Sequence, residues 1–149
     1  MSSGSKVLVI GYGNTLRRDD GVGPFVTDHL EPSPGLHVIT SHQLTPELAE
    51  PVSQADLVVF VDARADLAAG EIVMEPLPPR GSTLIHRLDP GTLLQWSLKL
   101  YGRVPEAILI GIGAASFDLG EGLSPEVEQA AVKALRAIRK LLHDRASQS

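Results

Sequence analysis

The sequence contains no cysteine. Disulfide frameworks, thiolate zinc sites, iron–sulfur clusters and cysteine nucleophiles are therefore impossible for this chain, and any metal it binds must be held by oxygen and imidazole nitrogen. It has no apolar run of about 18 residues, the length a membrane-spanning helix needs. Residues 1–6 lack the charged-then-apolar grammar of a signal peptide. A soluble cytoplasmic protein with no membrane partner is expected. No Lys/Arg block and no basic-aromatic stripe occurs, and 13 basic against 18 acidic residues leave a net charge of −5, so the footprint of a nucleic-acid binder is missing. The G-x-S-x-G elbow of a serine hydrolase and the H-E-x-x-H helix of a zinc protease are absent too. What remains is ordinary globular composition, 43% hydrophobic and 21% charged over 149 residues, the size of one domain spanning 1–149.

Three segments, Lys6–Gly11, Asp56–Asp62 and Ala107–Gly113, are short apolar runs rich in β-branched residues and bounded by polar residues or glycine. Such runs predict strands buried on both faces of a parallel sheet. Leu36–Thr40 and Glu71–Glu75 predict two weaker strands. Between them, Thr45-Pro46, Asp89-Pro90 and Ser124-Pro125 carry the N-cap-then-proline punctuation of a helix start. Gly21–Leu30 predicts a further helix. After Ser124 the apolar positions Val127, Ala130, Ala131, Ala134, Leu135, Ile138, Leu141 and Leu142 recur at threes and fours, predicting an amphipathic terminal helix, with 145–149 as a frayed tail. The alternation predicts an α/β three-layer sandwich: a mostly parallel central sheet of about five strands with helices on both faces. The irregular stretch is Pro76–Ser82, with three prolines and a glycine.

In such a sheet, ligands bind at the carboxyl ends of the strands. The first strand empties into the glycine-rich turn Gly11-Tyr12-Gly13-Asn14-Thr15-Leu16-Arg17-Arg18-Asp19-Asp20-Gly21-Val22-Gly23. As a dinucleotide fingerprint it fails, because Leu16 stands where a glycine is required and two carboxylates would repel a pyrophosphate. Of Asp19 and Asp20, one is expected to cap the following helix and the other to face the crevice. Asp62 ends the most hydrophobic strand and would lie beside the end of the first if the two pair. His86 precedes a helix, and His42 follows the second strand; either imidazole could join the carboxylates. His29 and His143 read as structural or solvated, and His37 has no acidic company. Two carboxylates and an imidazole make an oxygen/nitrogen site for a borderline divalent metal, while Asp20 and Asp62 alone could work as a paired-carboxylate hydrolase.

Taken together, these residues resemble a known family, the NiFe-hydrogenase maturation endopeptidases. The stretch Val7–Gly23 is similar to that family's strand, G-x-G-N-x-L, acidic pair and G-x-G signature. Asp62, His86, Gly111-x-Gly113 and Leu123-Ser124-Pro125-x-Val127 continue the match in order over the whole chain. The resemblance implies a cytoplasmic, aspartyl-type endopeptidase that removes the C-terminal extension of a hydrogenase large-subunit precursor after nickel insertion, so activating the hydrogenase. It implies Asp20, Asp62 and His86 as catalytic and metal-contacting residues, with nickel supplied by the precursor rather than bound permanently. The precursor is the implied partner, met by a monomer. Where many relatives have a glycine-rich stretch after the second strand, this chain has His42-Gln43-Leu44-Thr45-Pro46-Glu47, which looks like a branch associated with soluble, cofactor-coupled hydrogenases. A non-enzymatic nickel metallochaperone or docking factor using the same three residues is the alternative.

Overall fold

The aliphatic runs become five strands: β1 Val7–Tyr12, β2 Leu36–Ser41, β3 Leu57–Arg64, β4 Ile72–Pro76 and β5 Glu106–Gly113. A computed structural model describes residues 5–80 and 88–147 of the chain. The strands form one sheet in the order β2-β1-β3-β5-β4. β1, β2, β3 and β5 run parallel, and β4 pairs with β5 antiparallel at the edge. Pro76 closes β4, at an edge where a missing N–H costs little.

Strand alternation sorts the core into two halves. Val7, Val9, Leu57, Val59, Val61, Ile110 and Ile112 pack with helices α1 (Val22–Asp28) and α4 (Pro125–Ser147). Leu8, Ile10, Val58 and Phe60 pack on the other side with α2 (Ala49–Gln54) and α3 (Pro90–Tyr101). β1 and β3 therefore read as unbroken apolar runs because both of their faces are covered. The architecture is the expected three-layer α/β sandwich. Among the described residues, no helix is long and apolar enough to cross a membrane.

The proline punctuation falls at a helical start in all three places, and the side-chain cap that should accompany it differs among them. Asp89 caps α3, accepting the Thr92 N–H at 2.7 Å. Thr45 makes no side-chain cap, and Pro46–Leu48 forms a single 3-10 turn before α2. The Ser124 carbonyl accepts the N–H groups of Val127 and Glu128, but its hydroxyl donates to Asp19 instead of capping α4. The terminal helix also runs on to Ser147 rather than fraying at Arg145, whose guanidinium donates to the Ser5 hydroxyl and to Glu106. His29 closes α1 as expected of a structural histidine, with its ring 4.1 Å from that of Phe25.

From β1 the chain crosses to β2 on one side and then returns to β3 on the other, so the strand order reverses between β1 and β3. A crevice opens outside the carboxyl ends of strands at such a point. What closes over it is set by two glycines. A Cβ on Gly11 would lie 2.2 Å from the Gly23 carbonyl oxygen, and a Cβ on Gly23 would lie 2.5 Å from the Val61 carbonyl oxygen. The first turn of α1 thus rests backbone to backbone on the ends of β1 and β3. Gly23→Ala is expected to cost about 2–3 kcal/mol in urea unfolding, because the helix must lift off the sheet; a loss below about 0.5 kcal/mol would show that α1 is free to move.

Candidate active site

β1 and β3 pair in parallel with Gly11 opposite Val61, which sets Tyr12 and Asp62 side by side at the carboxyl edge. Both stand on the face shared by Ile10 and Phe60. The Tyr12 hydroxyl is aimed at the Asp62 carboxylate as a hydrogen-bond donor. Burial pushes Asp62 up to about 6, and the negative charge of Asp20 adds to the rise; the Tyr12 donor and Arg64 pull the other way. Tyr12 itself is driven well above the usual tyrosine range by burial and by Asp62. Across from Asp62 on β5 is Gly111, where a Cβ would come within 2.9 Å of the Arg64 Cγ, so the arginine stem lies over a strand position without a side chain. Its guanidinium is held by Asp66 through a bidentate pair at 2.8 and 2.7 Å.

The acidic pair does not divide as the sequence suggests. Neither carboxylate caps α1, whose N-cap is Gly21. Both sit on a 3-10 turn, Arg18–Gly21, and their side chains have different fates. Asp19 is fully buried. Its Oδ2 accepts from the N–H groups of Ala115 and Ser116 and from the Ser124 hydroxyl, and its Oδ1 accepts from the Ser124 N–H, all between 2.7 and 2.9 Å. Burial alone would raise its carboxyl, but the bonds from Ser124, Ala115 and Ser116 outweigh that and hold it below the usual range. Asp20 stays half-buried over the strand ends, with one oxygen accepting the Asn14 N–H at 2.7 Å. Gly13 makes this possible: its φ is +150°, and a Cβ there would lie 1.9 Å from the Asp20 carbonyl oxygen.

Asp20 and Asp62 are thus brought together. His86 lies outside the described residues. His42 is exposed on the loop after β2, and no hydrogen bond or ion pair joins it to either carboxylate among the described residues. Among those residues no group of three or more His, Asp or Glu is gathered closely enough to hold a metal. Tyr12 and Arg64 are site neighbours that motif reading passes over, and strand parity is the signal that finds them: Tyr12 ends β1 as Asp62 nears the end of β3, and Arg64 is two residues beyond Asp62 on the same face.

No protein-family model matches the sequence, and no curated protein sequence matches it. Solved structures do. The chain is similar to the hydrogenase maturating endopeptidase HybD from E. coli, at 22% identity over 93% of each chain with a TM-score of 0.76. It is also similar to the NiFe-hydrogenase maturation protease HycI from Thermococcus kodakarensis KOD1, at 25% identity over 95% of each chain and a TM-score of 0.76. A third, the maturation protease HybD from Thermococcus kodakarensis, is 28% identical over 91% of this chain and 98% of its own, with a TM-score of 0.67. The class defined by fold and site is an α/β sandwich with a carboxylate pair at its switch point. The family that the motifs resemble is the one whose structures this chain matches, nearly end to end.

The raised Asp62 carboxyl makes a prediction about stability. A carboxyl with a higher value in the native state binds its proton more tightly there than in the unfolded chain, so its contribution is full below about pH 4 and is lost as the pH rises through about 6. Asp62→Asn cannot ionise. Relative to the unmodified protein it should gain stability between about pH 4 and about pH 8, by up to about 3 kcal/mol in urea unfolding. A difference that stays flat across that range would mean Asp62 is not desolvated.

Proposed function

We propose that this protein is an endopeptidase of hydrogenase maturation, which removes the C-terminal extension of a NiFe-hydrogenase large-subunit precursor once nickel has been inserted. The observation that carries this reading is the pairing of Asp20 with Asp62 at the switch point, in a chain that matches maturation proteases over more than nine-tenths of its length. The nickel belongs to the substrate. Asp20, Asp62 and His86 would complete its coordination and so place the scissile bond at the crevice. Oxygen and imidazole donors suit a borderline divalent ion, and a chain without cysteine leaves the thiolate ligands to the precursor.

Recognition and inspection are then one event. A precursor without nickel offers nothing for the carboxylates to engage and stays uncut. The chemistry of Asp62 supports this role. A carboxyl at about 6 is ionised at neutral pH yet basic enough to take a proton from an attacking water. The residue therefore suits general-base work as well as metal contact.

Incubation of the protein with a hydrogenase large-subunit precursor, with and without nickel, tests the proposal by the size shift of the product. Cleavage is expected only with nickel, and equal cleavage without it would sink metal recognition. Asp20→Asn, Asp62→Asn and His86→Ala should each slow cleavage by about 100-fold or more. Unchanged rates in all three would remove the site, and nickel binding with no cleavage at all would favour the metallochaperone.

A further inference from the structure

Asp20 stands on one 3-10 turn of four residues between β1 and α1. A single turn has little stiffness of its own, since it closes too few hydrogen bonds to fix its residues. Its neighbour Asp19 supplies what the turn lacks. The Asp19 carboxylate collects four donors from residues 96 to 105 positions further along the chain: the N–H groups of Ala115, Ser116 and Ser124, and the Ser124 hydroxyl. The backbone repeats the tie. Asp19 N–H donates to the Ser116 carbonyl, Arg18 N–H to the Gly120 carbonyl, and Gly120 N–H to the Leu16 carbonyl, at 2.9 to 3.0 Å. A buried carboxylate is tolerated only when its lone pairs are met, and a helix cap would need one or two donors rather than four. The arrangement is that of an anchor.

We propose that Asp19 is a positioning residue: by clamping the 18–21 turn to the segment between β5 and α4, it holds Asp20 over the crevice facing Asp62. The geometry of the carboxylate pair is then set from the far end of the sequence, by residues 115–124, rather than by the turn itself. On the other side, the Asn14 N–H to Asp20 bond and the Asp20 N–H to the Arg17 carbonyl complete the frame. The proposal rests on the reading of Asp20 as a site residue, but its structural half can be measured without any cleavage.

The variant that isolates the clamp is Ser124→Ala, which removes one donor on the distant segment and touches neither Asp20 nor Asp62. Amide hydrogen exchange of the full chain by NMR reports the position, with the Asn14 and Asp20 amides as indicators. Both should exchange about tenfold faster in Ser124→Ala, while the amides of Val9 and Val59 in the sheet stay as they were. In parallel, with nickel-loaded hydrogenase precursor as substrate, kcat should fall by about tenfold and KM should stay within about twofold, because the reacting groups are misplaced and binding is not. Asp19→Asn, which turns a donor toward the N–H groups of Ala115 and Ser116, should act in the same direction and more strongly. If that variant does not fold, Ser124→Ala still decides. Unchanged exchange at Asn14 with faster exchange at Ala115 and Ser116 would overturn the proposal, as would a general rise across the sheet. Absence of cleavage by the unmodified protein would instead overturn the proposed function and leave the exchange result standing.

Discussion

The site depends on a contact between backbones. The first turn of α1 lies directly on the ends of β1 and β3 because Gly11 and Gly23 present no side chain between them. With that contact in place, the 3-10 turn ahead of α1 hangs over the point where the strand order reverses, and Asp20 is delivered to Asp62. Were either glycine to carry a Cβ, the helix would stand off, and the two carboxylates would separate although neither had been changed.

A second constraint is electrostatic. Buried ionisable groups are costly when charged, and Asp19 and Asp62 answer that cost in opposite ways. Asp19 is saturated by four hydrogen bonds and is held below the usual carboxylate range. Asp62 has Tyr12 as its side-chain donor and a like charge nearby, and stays at about 6. The first pattern is that of a fixed part of the scaffold. The second leaves a group able to exchange its proton near neutral pH or to release it to a metal, which is the behaviour a working site calls for. Asp19 and Asp62 thus meet the same burial in different ways, one fixed by its donors and one left free to titrate.

How far the sequence could be read follows the range of the interactions involved. The five strands and the terminal helix were legible because short apolar runs and the helical period are local patterns, and the pairing of β1 with β3 was a short step from them. Asp62 was found because it ends the most apolar run. The fate of Asp19 was not legible: N-capping is a local rule, whereas its four donors come from residues 115–124. The same limit applies to Ser124, whose place before Pro125 announces a helix start correctly while its hydroxyl serves another part of the molecule. It applies to Arg145 too, whose bonds to Ser5 ahead of β1 and to Glu106 at the start of β5 are not visible in its own stretch of sequence.

The sequence by itself determined the α/β class, the strands that carry the site, and the exclusion of thiolate chemistry, since each of these follows from composition, from unbroken apolar runs or from a period of 3.6 residues. That Asp19 is buried under four hydrogen bonds instead of capping α1, and that Tyr12 and Arg64 stand beside Asp62, were decided only by the tertiary structure. The reason is that burial and hydrogen-bond supply are properties of the space around a residue, and that space is filled by chain a hundred residues away.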